Sequence, residues 1–262
     1  MASEHIRYFD KYSENKERES ARLFEFGAGW DLIIPIAFFT FGIQKQVVID
    51  NRANARLELI NDTISKIQSH RSSIEAFCDM NMEVNTRDMN RVRNTDDLQQ
   101  EYGIIWLAPL DARSTGLPSN EFHFISNTLT LEHIPTDAIP DVFNECYRLL
   151  QPDGIMSCLI DLKDHYASFD SKISIYNYLR YSDGIWRIMN SGIHYQNRLR
   201  YPDYQDIIEN KTGFRILQIE KEEPGGEDLK MLEKMKLDDR FRRKYPIVDL
   251  GAKTVWFVLK KQ

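Results

Sequence analysis

Short apolar runs alternate with longer stretches whose apolar residues recur at helical spacing. Leu23–Phe26 is a short buried run that predicts a strand leading into a glycine turn. Leu32–Phe41 is apolar nearly all round and predicts a buried helix. Asp31 can cap it, Pro35 falls in its first turns where a missing N–H costs little, and Gly42 closes it. Gln46–Asp50, reading QVVID, is β-branched and predicts a second strand. Arg52–Gln68 places Leu57, Ile60, Ile64 and Ile67 on one helical face. Further strands are predicted at Gly103–Ala108, Phe122–Ser126, Ile155–Leu162, Phe214–Ile219 and Thr254–Leu259. Helices are predicted at Ala138–Leu150 and Tyr204–Lys211, and QPDG at 151–154 is a turn signal.

Three stretches break the alternation. Residues 1–20 are charged with Tyr8, Phe9 and Tyr12 scattered among them. They predict an exposed helix, either a lid over a site or a solvated terminus. Residues 69–101 are polar and poorly periodic, too long for an ordinary connection, and read as an insertion. Residues 163–210 are rich in Tyr, Asn and Arg and read as a cap. Apart from these, strand and helix alternate within a single domain spanning 1–262, without internal repeats. The expected fold class is α/β: a Rossmann-like, mostly parallel sheet of seven strands with helices on both faces. Ligands of such sheets sit beyond the carboxyl ends of the strands.

Composition narrows the class. A hydrophobic content of 42% in 262 residues suffices for a sizeable core. The net charge of -6 argues against a general nucleic-acid surface. Cys78, Cys146 and Cys158 form no C-x-x-C pair, so neither a disulfide framework nor a structural zinc site is expected, and a reducing, cytoplasmic setting is. The polar start has no apolar core of signal-peptide type, and Leu32–Ile43 is too short to span a bilayer.

The strand ends carry the chemistry. Residues 24–32 read FEFGAGWDL, and Asp50 ends the second strand twenty-one residues after Gly29. A glycine turn followed at about 20 residues by an acid is the pattern of a nucleoside-bearing cofactor, the acid accepting from ribose hydroxyls. An ordinary β-α turn and a helix N-cap are the alternatives. A dinucleotide fingerprint wants a third glycine where Leu32 stands, and Glu25 beside the turn would repel a pyrophosphate but welcome an ammonium. S-adenosylmethionine has an amino-acid head, a sulfonium and no phosphate, so the charges favour it over NAD.

Glu25-Phe26-Gly27-Ala28-Gly29 resembles the first motif, E/D-x-G-x-G, of class I SAM-dependent methyltransferases; Asp31 stands where that family often has a further glycine. Asp50, with Asn51 beside it, resembles the family's ribose-binding acid. Leu110-Asp111-Ala112 resembles its adenine-contacting segment. EFHFISNTLTLEHIP at 121–135, which includes Asn127, resembles its fourth strand and loop, with His123 in place of the usual Asp. RLLQPDGIMS at 148–157 resembles its L-L-K-P-G-G-x-L turn. The resemblance covers residues 23–160. It implies a cofactor site of Glu25, Gly27, Ala28, Gly29, Asp50, Asn51, Asp111, Ala112 and Asn127, with S-adenosylhomocysteine as product, and a last strand inserted antiparallel between the fifth and sixth.

Methyl transfer needs a positioned nucleophile and sometimes a base near neutral pKa, so the six histidines matter. His133 follows Glu132 beyond the fourth strand and reads as a base or as a loop cap. His165 lies in IDLKDHYA between Asp161 and Asp164, where a carboxylate can orient an imidazole. His194 is a weaker candidate; His5, His70 and His123 read as surface or structural. Catalytic candidates are His165, His133 and Asp161. Asp161, Asp164 and His165 have the chemistry of magnesium ligands, but two acids on one loop do not establish a site, and no metal is expected. Tyr178, Arg180, Tyr195, Asn197 and Arg198 are the substrate-binding candidates, since aromatic faces stack on sugars and arginines fork onto anions. The expected function is O-methylation of a small polar or glycan-type acceptor. N- or C-methylation of a small metabolite and a catalytically silent SAM-binding subunit are the alternatives. A homo-oligomer is compatible with the sequence, and no nucleic-acid partner is expected.

Overall fold

The computed structural model describes residues 1–14, 17–77, 89–190, 192 and 195–262. Cys78, His194 and part of the 69–101 stretch lie outside them. The chain begins with helix α1 (Ala2–Tyr12), then β1 (Arg22–Phe26), α2 (Ile33–Thr40), β2 (Lys45–Ile49) and α3 (Leu57–Ser69). Helices α4 (Arg71–Phe77) and α5 (Thr95–Tyr102) fall in the expected insertion, ahead of β3 (Ile104–Leu107) and β4 (Phe122–Thr128). Next come α6 (Ile139–Leu149), β5 (Leu150–Asp161), α7 (Asp183–Met189), α8 (Tyr201–Lys211) and β6 (Phe214–Lys221). Helices α9 (Gly226–Lys234), α10 (Asp239–Lys244) and α11 (Ile247–Gly251) precede β7 (Thr254–Lys261).

The seven strands form one sheet in the order β3-β2-β1-β4-β5-β7-β6. The first five strands in that order pair in parallel, and β7 runs antiparallel between β5 and β6. This is the Rossmann-like arrangement expected. The order reverses at β1 and β4, so their carboxyl ends flank the crevice where such sheets bind ligands. On one face, Phe24, Phe26, Ile125, Phe143 and Phe257 join the largest core cluster; on the other, Leu23, Phe38 and Phe124 form a second. Among the described residues no helix is long and apolar enough to cross a membrane.

Local chemistry shifts several boundaries. Gly103 is the left-handed cap of α5 (φ 64°), and a Cβ there would lie 1.7 Å from the Gln44 carbonyl oxygen, so β3 starts one residue late. The 151–154 turn signal gives way to a long strand: β5 begins at Leu150 and absorbs the irregularity as a register shift against β4, with Asp153 at φ 63°. Asp31 accepts from Ile33 N at 3.2 Å, but the residue at the cap of α2 is Leu32, itself left-handed at φ 50°.

The helix at residues 2–12 is docked, where the sequence suggested exposure. Its apolar stripe buries Ile6, Tyr8 and Phe9, and His5 is fully buried between Ser157 Oγ and Thr128 Oγ1, both at 3.0 Å. Its ring also packs edge-on to Trp256. Burial, aided by the N-terminal charge, lowers the His5 pKa to about 3. Below pH 6.5 the unfolded chain therefore binds a proton that the folded chain refuses. Stability from this site is fully present above pH 6.5 and is lost as pH falls toward 3, at up to about 1.4 kcal/mol per unit. His5→Asn keeps a polar contact and removes the titration. Urea midpoints at pH 7 should favour the natural protein, and the gap should narrow steadily to pH 4. A gap independent of pH would show that His5 does not titrate on unfolding.

Candidate functional site

The carboxyl ends of β1 to β4 open on a cleft of about 730 Å³, within the range of about 300–1,000 Å³ usual for small-molecule sites. Gly27 and Gly29 form one wall at φ 77° and 74°, a conformation that other residues enter only at a cost. The turn is tied to its neighbours. Gly27 N–H donates to the Ile49 carbonyl at 2.9 Å, Thr130 Oγ1 to the Gly27 carbonyl at 3.3 Å, and Asn127 Nδ2 to the Phe26 carbonyl at 3.0 Å. Leu110 N–H reaches the Asp50 carbonyl at 2.8 Å, linking the tips of β2 and β3.

Of the residues expected around a cofactor, Gly27, Gly29, Asp50, Asn51, Asp111 and Ala112 share this cleft. One oxygen of Asp50 takes the Arg52 N–H at 3.0 Å. Asp111 is gripped by the backbone and guanidinium of Arg113, which holds its carboxyl below the usual range.

Three expected contacts stand elsewhere. Ala28 turns into the core on the far side of the glycine turn. Asn127 is fully buried and holds the turn from behind. Glu25 is buried beneath the turn, accepts from Ser126 Oγ at 2.9 Å, and is pushed up to about 8 by desolvation. At neutral pH it is mostly uncharged, so the electrostatic welcome to an ammonium argued from its charge does not describe this conformation.

His133 and His165 come together from the ends of β4 and β5, their ring centroids 4.9 Å apart. His133 is exposed on the cleft wall, and its Nδ1 lies 2.8 Å from the Tyr195 carbonyl. That contact makes Nδ1 the protonated nitrogen and puts the lone pair of the neutral ring on Nε2. His165 Nε2 lies 3.7 Å from Asp161 Oδ2. Burial opposes ionisation of Asp161, but His165 and Lys163 outweigh it and keep the carboxyl below its ordinary range. Beneath them sits Glu132, fully buried and pushed by desolvation up to about 8.

The acceptor residues expected in the cap are largely framework. Tyr178 is buried and donates to the Leu162 carbonyl at 2.6 Å. Asn197 bridges the Leu131 and Ile134 carbonyls. Arg198 is buried against the Tyr178 and Tyr181 carbonyls and Asp183. Arg180 is exposed and binds Asn177 at 3.3 Å. Tyr195 is half-buried and meets His133 through its backbone. In this conformation Tyr178, Asn197 and Arg198 spend their donors on nearby carbonyls rather than facing the cleft. Arg200, fully buried, shows why the cap needs arginines: it ties Leu162, Tyr178, Leu250 and Ala252 together.

The cleft also has walls that the sequence reading did not single out, among them Trp30, Leu129, Thr130 and Pro135. Leu129 takes φ 53°, a strained backbone of the kind that concentrates at functional sites. Trp30 lies in the glycine motif itself; an exposed aromatic beside such a turn was the available signal.

Comparison with known proteins agrees with this geometry. The family model described as a methyltransferase domain matches residues 77–158. No curated protein matches the chain. Among solved structures, a Galdieria sulphuraria protein proposed to be a sarcosine dimethylglycine methyltransferase superposes with a TM-score of 0.52 at 12% identity, covering 99% of this chain and 85% of that one. A protein of Bacillus halodurans C-125 proposed to be a methyltransferase gives 0.51 at 12% identity, covering 98% and 99%. The geranyl diphosphate C-methyltransferase of Streptomyces coelicolor A3(2), in complex with Mg²⁺, geranyl diphosphate and S-adenosyl-L-homocysteine, gives 0.51 at 10% identity, covering 99% and 78%. At such identities the likeness is one of fold. Residues 77–158 thus match a methyltransferase domain, and the sheet as a whole has the Rossmann-like fold of the solved methyltransferases above.

Proposed function

We propose that this protein transfers a methyl group from S-adenosylmethionine to an oxygen of a small polar or glycan-type acceptor. The observation that carries the reading is that the glycine turn, Asp50 and His133 share one cleft. Bound there, the cofactor supplies a methyl group activated on a sulfonium. Gly27 and Gly29 would admit its amino-acid end close to the backbone. A Cβ at Gly29 would meet nothing within 4 Å, so the space before it is open. Asp50, with Asn51, would take the ribose hydroxyls. Asp111 would share its carboxylate between Arg113 and the adenine amine, with Ala112 against the ring. Glu25 and Asn127 would act indirectly, as supports of the turn. His133 Nε2, unprotonated in its present tautomer, would accept the acceptor's hydroxyl proton. Tyr195 holds that tautomer through its carbonyl.

Purified protein incubated with methyl-labelled S-adenosylmethionine and a panel of hydroxylated, amino and carbon acids tests the reading. Label on a hydroxylated or glycan acceptor supports it. Label only on nitrogen or carbon overturns the oxygen assignment, and saturable binding without any transfer leaves a silent binding subunit. Asp50→Ala should weaken cofactor binding about 10–100-fold, the loss of charged hydrogen bonds, and shift the unfolding midpoint only by the small contribution of the Arg52 N–H bond, about 1 kcal/mol. An unchanged dissociation constant would remove Asp50 from the site.

A further inference from the structure

Glu132, His133 and His165 each place one ligand atom within 4.8 Å of the other two. Glu132 is the anomaly among them. Its carboxylate is buried, and among the described residues no hydrogen bond of ordinary geometry reaches either oxygen, although the backbones of Glu132 and Asp161 lie near enough to favour its charged form. Protonation does not resolve this, because the added O–H would itself need an acceptor. Buried carboxylates are ordinarily hydrogen-bonded, paired or coordinated to a metal.

We propose that Glu132, His133 and His165 bind a divalent transition metal of the Zn²⁺ class. Two imidazoles and one carboxylate suit Zn²⁺ or Fe²⁺ more than Mg²⁺, which prefers oxygen ligands. The donation of His133 Nδ1–H to the Tyr195 carbonyl at 2.8 Å is the support that metal-binding histidines usually have, and it directs Nε2 to the metal. Bonds of about 2.0–2.2 Å would set ligand atoms about 3–4 Å apart, so the trio must close by roughly 1 Å. His165, on the short 3-10 turn His165–Ser168 and only partly buried, can supply that movement. Three protein ligands leave a coordination position open, as in catalytic sites. His133 lies on the cleft wall, so an oxygen of the acceptor is the ligand that position would take. With His133 Nε2 on the metal, the bound metal rather than that imidazole would favour loss of the hydroxyl proton, so this use of the metal replaces the base role given to His133 above and rests on the methyl-transfer reading; metal binding itself does not.

The test uses full-length, tag-free protein stripped with a chelator. Titration with Zn²⁺ alone should show one saturable site, and Co²⁺ alone should develop visible d–d absorption of low-symmetry coordination. Glu132→Gln and His165→Ala should each weaken Zn²⁺ binding at least about tenfold, whereas His70→Ala, exposed beyond α3, should not. Absence of both Zn²⁺ saturation and a Co²⁺ spectrum in the natural protein overturns the proposal, and so does a His165→Ala protein that binds like the natural one. S-adenosylmethionine is titrated in parallel. Cofactor binding without metal uptake rejects the metal site alone, and loss of cofactor binding rejects the underlying reading separately.

Discussion

Gly27→Val is expected to abolish saturable binding of S-adenosylmethionine. Gly27 sits at φ 77°, and a Cβ there would lie 2.2 Å from Thr130 Oγ1 and 2.4 Å from Thr130 Cγ2. Left-handed backbone costs a non-glycine residue about 1–3 kcal/mol, and overpacking adds about 1–3 kcal/mol. Relief requires that the turn or Thr130 move, and both stand on the cleft wall. Together these terms amount to about two or more orders of magnitude in affinity. Titration calorimetry reads the effect, with circular dichroism checking that the sheet persists. Gly29→Ala is the comparison, since its Cβ meets no protein atom and only the backbone strain remains. Natural affinity in Gly27→Val would mean that the cofactor does not approach this turn.

His133→Ala should lower kcat by about 10²–10⁴-fold, the usual contribution of a positioned acid or base. Cofactor affinity should barely change, because the turn and Asp50 are untouched. His133→Gln separates chemistry from support. Its amide can still donate to the Tyr195 carbonyl, so a residue that merely fixed the loop would be rescued. A side chain that takes a proton or a metal at Nε2 would not be. Recovery of natural turnover by the glutamine variant would assign His133 a positioning role. Equal turnover in all three proteins would remove it from the reaction.

Much of this site was legible because its residues are adjacent in sequence or stand at strand ends fixed by periodicity. The GAG turn, Asp50 and Asp111 lie just beyond β1, β2 and β3, and the alternation of strand and helix brings those ends together. Side-chain direction was less legible. Glu25 and Phe26 are neighbours on a strand, and the pleat sends them to opposite faces; Phe26 reaches the cleft while Glu25 is buried against Ser126. Side-chain direction in the cap was hidden for a related reason. Tyr178, Asn197 and Arg198 have the chemistry of an acceptor site, yet irregular segments leave backbone carbonyls that need donors, and those side chains supply them.

By itself the sequence determined the α/β class, the strand–turn–helix units and the glycine and acid positions that define the cofactor motif, because each depends on local periodicity and short-range backbone conformation. Only the tertiary structure decided that His5 is sealed between β4 and β5, that Arg200 clamps the cap, and that Glu132, His133 and His165 meet. Those contacts reach across as many as 152 positions, as between His5 and Ser157, and what forms them is the burial of helix and loop faces against a finished sheet, which no short window of sequence contains.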